Sequence, residues 1–166
     1  KRAVAARISD ALAARGESST TGSRIDPAEV DRARRLVKTI SRAFDSKVVG
    51  QEALRTALLV GLIGGGHVLL ESVPGLAKTL AASTLASTVD ASFSRVQCTP
   101  DLLPSDIIGT QVFNPGSSTF TTELGPVHAN VVLLDEINRS SAKTQAAMLE
   151  AMQERQATIG GKTYPM

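Results

Sequence analysis

At 166 residues, against about 150 for a typical domain, the chain has room for one core and none for a second of full size. Apolar residues at 42% and charged residues at 20% exclude a wholly disordered, collagenous or coiled-coil chain. The net charge of +2 hides an asymmetry, because residues 1 to 48 hold 11 Lys or Arg against 6 Asp or Glu, whereas residues 49 to 166 hold 7 against 10.

The basic surplus therefore belongs to the leading 48 residues, where Phe44 is the single aromatic residue. It reads as a solvated helix face, and nucleic acid is not an expected partner. No apolar run approaches the roughly 18 residues needed to cross a bilayer, so membrane insertion is not expected either. Cys98 is the only cysteine, which excludes an intrachain disulfide and a multi-cysteine metal site and suits a reducing, cytoplasmic setting.

Along the chain, Val4, Ile8 and Leu12 at a spacing of four predict a short helix over 3–14, and the run Gly16 to Arg24 has almost nothing to bury and reads as a linker. Residues 1–25 are thus expected to be a leader helix and a flexible linker. Asp26, Pro27 and Glu29 form a helix start, with a capping side chain, a pre-set proline angle and a carboxylate in the first turn. Val30, Ala33, Val37, Ile40 and Phe44 continue that helix, and a second one over 51–63 ends at Gly64-Gly65-Gly66.

His67 to Glu71 (HVLLE) is an apolar run of the kind expected in a buried parallel strand. Helical character returns over Leu80 to Val89, and Phe93 to Cys98 alternates like a strand. Thr110 to Phe113 and Thr119 to Thr122 flank Asn114-Pro115-Gly116-Ser117 as a hairpin. A strand over Val131 to Leu134, a helix through Ala142, Ala146, Leu149 and Met152, and a hairpin about Gly160-Gly161 complete the chain. Strands alternating with helices predict an α/β fold with a mostly parallel sheet.

Two stretches carry chemistry. The first is Glu71 to Thr79 (ESVPGLAKT), which lies between the expected strand and a helix. A turn from Pro74 through Gly75, Leu76 and Ala77 into Lys78, Thr79 and Leu80 would aim successive backbone N–H groups and a positive helix end at a phosphate. On that reading Lys78 reaches the β and γ phosphates and the Thr79 hydroxyl coordinates Mg²⁺. Ser72 and Ala77 occupy the two glycine positions of the pattern G-x-x-x-x-G-K-[ST]. Ala77 adds only a methyl group, whereas Ser72 would cost about 1–2 kcal/mol if its backbone must be left-handed. Alone, such a loop could equally be an ordinary turn with an exposed lysine.

The second stretch is Val131-Val132-Leu133-Leu134 running into Asp135-Glu136, 57 residues beyond Lys78. It delivers two carboxylates to the carboxyl edge of the sheet, where α/β ligands bind. Asp135 would hold Mg²⁺ through its water shell, and Glu136 would take the proton of the attacking water. The rival, a pair of solvated acids closing a strand, weakens once the Lys-Thr loop is present. Lesser signals have plain readings: His67 and His128 lack partners for a metal site, Cys98 is a small buried hydrophobe, Arg139 and Arg155 are exposed helix-end cations, and Met148 and Met152 are helix core.

The sequence resembles the MoxR-type AAA+ ATPases. The matching segments are Val49-Gly50-Gln51-Glu52, Gly66 to Glu71 running into VPGLAKT, Cys98 to Ile107 (CTPDLLPSDI), Gly125-Pro126-Val127, and Leu134 to Arg139 (LDEINR) through Lys143-Thr144-Gln145 to Leu149–Gln156 (LEAMQERQ). The resemblance implies a P-loop NTPase fold, a three-layer sandwich with a mostly parallel sheet, occupying residues 26–166. It further implies ATP as substrate with Mg²⁺, self-association into a hexameric ring, chaperone-like remodelling of partner proteins, and a partner bearing a von Willebrand factor A domain. Val49, Gly50 and Gln51 would line the adenine side of the pocket. The hairpins near 110–122 and 157–164 look like the family's helix-2 insertion and pre-sensor hairpin.

Ala77 is what the family usually has, so Ser72 is the departure in this loop. The chain stops at Tyr164-Pro165-Met166, before the family's next strand with its sensor residue, its arginine finger and its helical lid, and is therefore expected to be a partial module, incomplete at the C-terminus, with a gap in its sheet. Two further functions stand beside ATP-driven remodelling: a nucleotide-responsive interaction module without hydrolysis, favoured by Ser72 and the missing parts, and a DNA-acting relative.

Overall fold

The computed structural model describes residues 26–71 and 77–166. The leader helix and linker expected over 1–25, and Ser72 to Leu76 of the Lys-Thr loop, lie outside the described residues. The described residues form two compact units that divide between Ala91 and Ser92, each with its own apolar cluster.

In the first unit, helix α1 spans Pro27–Asp45. The Ala28 N–H donates to the Asp26 carboxylate at 2.9 Å, with proline in the first turn, which is the start its sequence predicts. The inward stripe of α1 buries Ile40 and Phe44. Helix α2 (Glu52–Gly64) ends at Gly65, whose φ of +61° closes the helix in the left-handed conformation that glycine adopts without penalty. Arg55 on α2 pairs with Asp45 at the end of α1. Helix α3 (Lys78–Thr88) carries mostly small buried residues, Ala81, Ala82, Thr84, Leu85 and Ala86. Ala81 and Leu85 join Ile40, Phe44, Val48, Leu59 and Val89 in the first cluster.

One expected element is corrected. His67 to Glu71 forms no strand, and none of the three sheets among the described residues contains it. Its apolar run suits a strand, but a strand exists only against a ladder partner, and no described strand runs beside it. The segment is instead irregular, with Leu69 79% exposed. Val68 lies so close to Gly61 of α2 that any side chain at 61 would collide with it.

The second unit contains a parallel pair formed by two strands that the sequence predicts. Strand β1 (Phe93–Gln97) runs beside β4 (Val131–Asp135) with Phe93 opposite Val131 and Gln97 opposite Asp135. Between them lie the short helix α4 (Pro104–Ile108) and the antiparallel hairpin of β2 (Gly109–Asn114) and β3 (Thr119–Leu124). Helix α5 (Ala142–Glu154) and the hairpin of β5 (Gln156–Ile159) and β6 (Lys162–Pro165) follow. The class is α/β, although the hairpins make four of the six described strands antiparallel.

Alternation along β1 and β4 sends Val96, Val132 and Leu134 to the side packed with Cys98, Ile107 and Met148. The start of the pair is pinned by reciprocal bonds, the Ser92 N–H donating to the Asn130 side chain at 3.0 Å and the Asn130 N–H to the Ser92 hydroxyl at 2.9 Å. Thr144 on α5 is fully buried and donates its hydroxyl hydrogen to the Leu102 carbonyl at 2.7 Å, tying α5 to the chain before α4. Both nitrogens of His128 face backbone carbonyls, of Ile108 at 3.1 Å and Pro165 at 3.4 Å, so this histidine staples backbone.

Gly125 closes the base of the first hairpin, where a Cβ would come within 2.2 Å of the Ile107 carbonyl oxygen. Backbone cannot yield cheaply there. Gly125→Ala is expected to lower stability by about 1–3 kcal/mol, read as a fall in the urea midpoint at unchanged slope; an unaltered midpoint would refute the close approach.

Candidate functional site

The two parts of the expected nucleotide site are built in different units. In the first unit, Val48 is buried in the same cluster as Ala81 of α3, and it anchors the three residues proposed for the adenine side. Val49 then turns outward, 86% exposed, Gly50 takes φ +72°, and Gln51 caps α2 by accepting the Arg55 N–H on its carbonyl. Val49 is the apolar surface of this segment that a base could cover.

Of the expected phosphate cradle, Pro74, Gly75 and Leu76 lie outside the described residues, whereas Ala77, Lys78, Thr79 and Leu80 are described. Helix α3 begins at Lys78, two residues earlier than its periodicity predicts. Its cap is Ala77 at φ +52°, ψ +25°, which has no side-chain acceptor for the first amides. No acidic residue stands in the first turn, so the positive end of α3 is uncompensated by side chains of its own. Lys78 and Thr79 are half-buried there, and Leu80 is exposed. The glycine requirement of the pattern is thus felt at Ala77, where the sequence suggests only an added methyl group.

In the second unit, β4 brings Asp135 and Glu136 to the carboxyl end of the parallel pair. Asp135 shares the face of β1 that carries Arg95 and Gln97, and the Arg95 guanidinium donates to its carboxylate at 2.7 Å. The same guanidinium nitrogen donates to the Gln97 side-chain carbonyl at 3.1 Å. The Gln97 amide nitrogen donates in turn to Glu136 Oε2 at 3.1 Å, and Arg139 donates to the same oxygen at 2.7 Å. A continuous polar chain, Asp135, Arg95, Gln97, Glu136, Arg139, therefore joins the two acids. Glu136 itself takes φ +55°, ψ +43°, at the point where the strand gives way to the turn Ile137–Arg139. That backbone reversal lets consecutive residues present their carboxylates to one polar network instead of to opposite faces.

Three members of this network, Arg95, Gln97 and Arg139, fall outside the sequence-based site. The alternation that hides Val96 in the core signals that Arg95 and Gln97 share the other face, and the spacing of three from Glu136 to Arg139 signals their pairing. Directly beneath, Cys98 is buried and its N–H donates to the Asp135 carbonyl at 2.9 Å. Burial pushes its thiol above the ordinary range and the Asp135 charge adds to this, so it stays a protonated hydrophobe.

Among the described residues no group of three or more His, Cys, Asp or Glu comes together. An all-protein metal cage is therefore not built from them. Mg²⁺ ordinarily takes one or two carboxylates together with substrate phosphates and waters, and Asp135 is a carboxylate with a free second oxygen of the kind such an ion uses.

Residues 67–166 match the model of the ATPase family associated with various cellular activities (AAA). The chain belongs to that family. Its similarity to MoxR proteins makes it a MoxR-type member with the α/β P-loop fold. It is 52% identical over 154 residues to the chaperone MoxR1 of Mycobacterium tuberculosis, an alignment covering 91% of this chain and 41% of that protein. It is 31% identical over 140 residues to protein MoxR of Methylorubrum extorquens, covering 81% and 39% respectively. A crystal structure of a candidate ATPase from Cytophaga hutchinsonii superposes with a TM-score of 0.71 at 49% identity, over 83% of this chain and 44% of that one. The MoxR-type chain thus spans about two fifths of the length of the curated relatives it matches.

In the MoxR-type chain the left-handed Ala77 carries a steric penalty that glycine lacks. Ala77→Gly is expected to gain about 0.5–1 kcal/mol, after the entropy that glycine returns to the unfolded chain, and Ala77→Val to lose more than that. Thermal melts of both variants check it. A destabilised glycine variant would contradict the left-handed cap.

Proposed function

We propose that the MoxR-type chain binds and hydrolyses ATP with Mg²⁺, through Lys78, Thr79, Asp135 and Glu136, and that the energy drives chaperone-like remodelling of partner proteins. The observation carrying this reading is the acid pair at the carboxyl end of β4, tied by Gln97 and the two arginines, in a chain whose Lys-Thr sequence opens a helix with uncompensated first amides. Family membership supports it, and convergence of the two parts on one triphosphate is part of the proposal.

On this reading Val49, Gly50 and Gln51 receive the base. The turn from Pro74 through Gly75, Leu76 and Ala77, with the amides of Lys78, Thr79 and Leu80, surrounds the phosphates, and the Lys78 ammonium neutralises the β and γ oxygens. Thr79 and Asp135 would hold Mg²⁺, which when bound screens the phosphate charge that otherwise repels a nucleophile. Glu136 accepts a proton from water as its oxygen attacks the γ phosphorus. The bond from that phosphorus to the bridging oxygen breaks, and ADP and phosphate leave.

The bonds from Gln97 and Arg139 both fall on Oε2 and orient the carboxylate, so the proton would be taken on Oε1. Self-association into a ring, expected to be hexameric, would supply a cation in trans to the transition state. A partner with a von Willebrand factor A domain belongs to the same proposal, as does action in the cytoplasm; no helix among the described residues is long and apolar enough to cross a membrane.

The double hold on Glu136 Oε2 favours one alternative, a nucleotide-responsive interaction module that binds without hydrolysis. Phosphate release measured against protein concentration separates the two, since turnover completed in trans rises more steeply than linearly. Lys78→Ala is expected to weaken nucleotide binding at least about tenfold, and unchanged binding rejects the loop assignment. Glu136→Gln should bind ATP normally while losing about 10²-fold or more in phosphate release; full release in that variant removes Glu136 as the base.

A further inference from the structure

With Asp135 assigned to the metal and Glu136 to water, Arg95 is left with no role. Yet Arg95 is the side chain held directly on the Asp135 carboxylate, at 2.7 Å, and a second acceptor on Gln97 fixes the same nitrogen at 3.1 Å. The pair is built into the fold. Gln97 stands opposite Asp135 in the parallel register, and Arg95 lies two residues earlier on the same face, opposite Leu133. The Asp135 side chain is only 21% exposed against 45% for Arg95, so the carboxylate sits where charge is poorly screened while the guanidinium has a path to solvent.

We propose that Arg95 is a resident counter-cation on Asp135 with which the magnesium of the metal–nucleotide complex must compete, so that Arg95 sets the magnesium demand of the site. This rests on the nucleotide reading above, and assigns Arg95 a positioning role, acting on the metal through Asp135. The physical basis is that a carboxylate shared between a guanidinium and a divalent cation would bring two positive centres together, and their repulsion would be relieved as Arg95 swings out or lets go of Oδ2. Its partial exposure makes that movement cheap. The charge of Asp135 is thus never left uncompensated: Arg95 covers it before the metal arrives and yields it afterwards.

The test is a titration of Mg²⁺ against binding of a fluorescent ATP analogue to the full chain, in wild type, Arg95→Ala and Arg95→Lys, with analogue binding in EDTA measured alongside. Arg95→Ala is expected to lower the half-saturating Mg²⁺ concentration about fivefold, the size of a partly exposed ion pair. Arg95→Lys, which keeps the charge, should stay near wild type, and EDTA binding should be the same in all three. A merely structural Arg95 predicts the opposite sign, because a disordered Asp135 would need more magnesium. An equal or raised demand in Arg95→Ala overturns the proposal while leaving the nucleotide reading intact. If wild type binds no analogue at any Mg²⁺ concentration, the nucleotide reading itself falls, and this inference with it.

Discussion

The register of β1 against β4 is the constraint on which the acidic site depends. With Gln97 opposite Asp135, one face of the pair carries Arg95, Gln97, Leu133 and Asp135, and the other carries Val96, Val132 and Leu134 into the core with Ile107 and Met148. A slip of one residue would exchange the faces, driving Asp135 into that core and valine and leucine side chains out of it. Burying an unpaired carboxylate is far costlier than any local adjustment could recover. Apolar packing on the hidden face is therefore what places the charged groups on the other. The Ser92–Asn130 bonds fix the opposite end of the pair, so the two strands cannot shear.

Among the described residues, Ala77, Asp90, Ser118, Glu136 and Arg155 are non-glycine residues with left-handed angles, and two of them stand where chemistry is expected. Ala77 and Glu136 both adopt left-handed angles, and both stand where the chain enters helical or 3₁₀ structure, at Lys78 and Ile137 respectively. A non-glycine residue in that region costs of order 1 kcal/mol and persists only where surroundings over-determine it. For Glu136 the surroundings are visible: its carboxylate is held by Gln97 from the neighbouring strand and by Arg139 from the turn that follows. Ala77 gains from the turn it caps, since its carbonyl accepts the Ala81 N–H at 2.8 Å and so starts the buried helix α3.

Sequence was most informative where local chemistry and burial agree. Asp26-Pro27 fixes the start of α1, Gly65 the end of α2, and Asn114 to Ser117 the turn between β2 and β3, because each uses a cap or turn whose energetics are local. The acid pair at the end of β4 was legible for a related reason, an apolar run closing in two charges. HVLLE misled because a strand is a property of two segments, and composition speaks for only one of them. The cost at Ala77 was underestimated for a different reason, while Ser72 lies outside the described residues. A pattern of glycines says which residues are permitted but not which of them the backbone requires, and Ala77 takes the left-handed angle. Arg95 and Gln97 were missed because each is unremarkable in isolation and acquires a role only across the ladder, opposite residues nearly 40 positions away.

The polar chain from Asp135 to Arg139 turns these separate facts into a single electrostatic object. Two carboxylates on consecutive residues repel each other, and each is compensated by an arginine, with Gln97 between them donating to one side and accepting from the other. The Gln97 amide can satisfy both neighbours only in one orientation, carbonyl toward Arg95 and nitrogen toward Glu136. Any event that moves Arg95 off Asp135 therefore changes what Gln97 accepts, and so how firmly it can hold Glu136. A charge change at Asp135 would reach Glu136 through one amide, without movement of either strand, and the register of β1 and β4 is what keeps that path short.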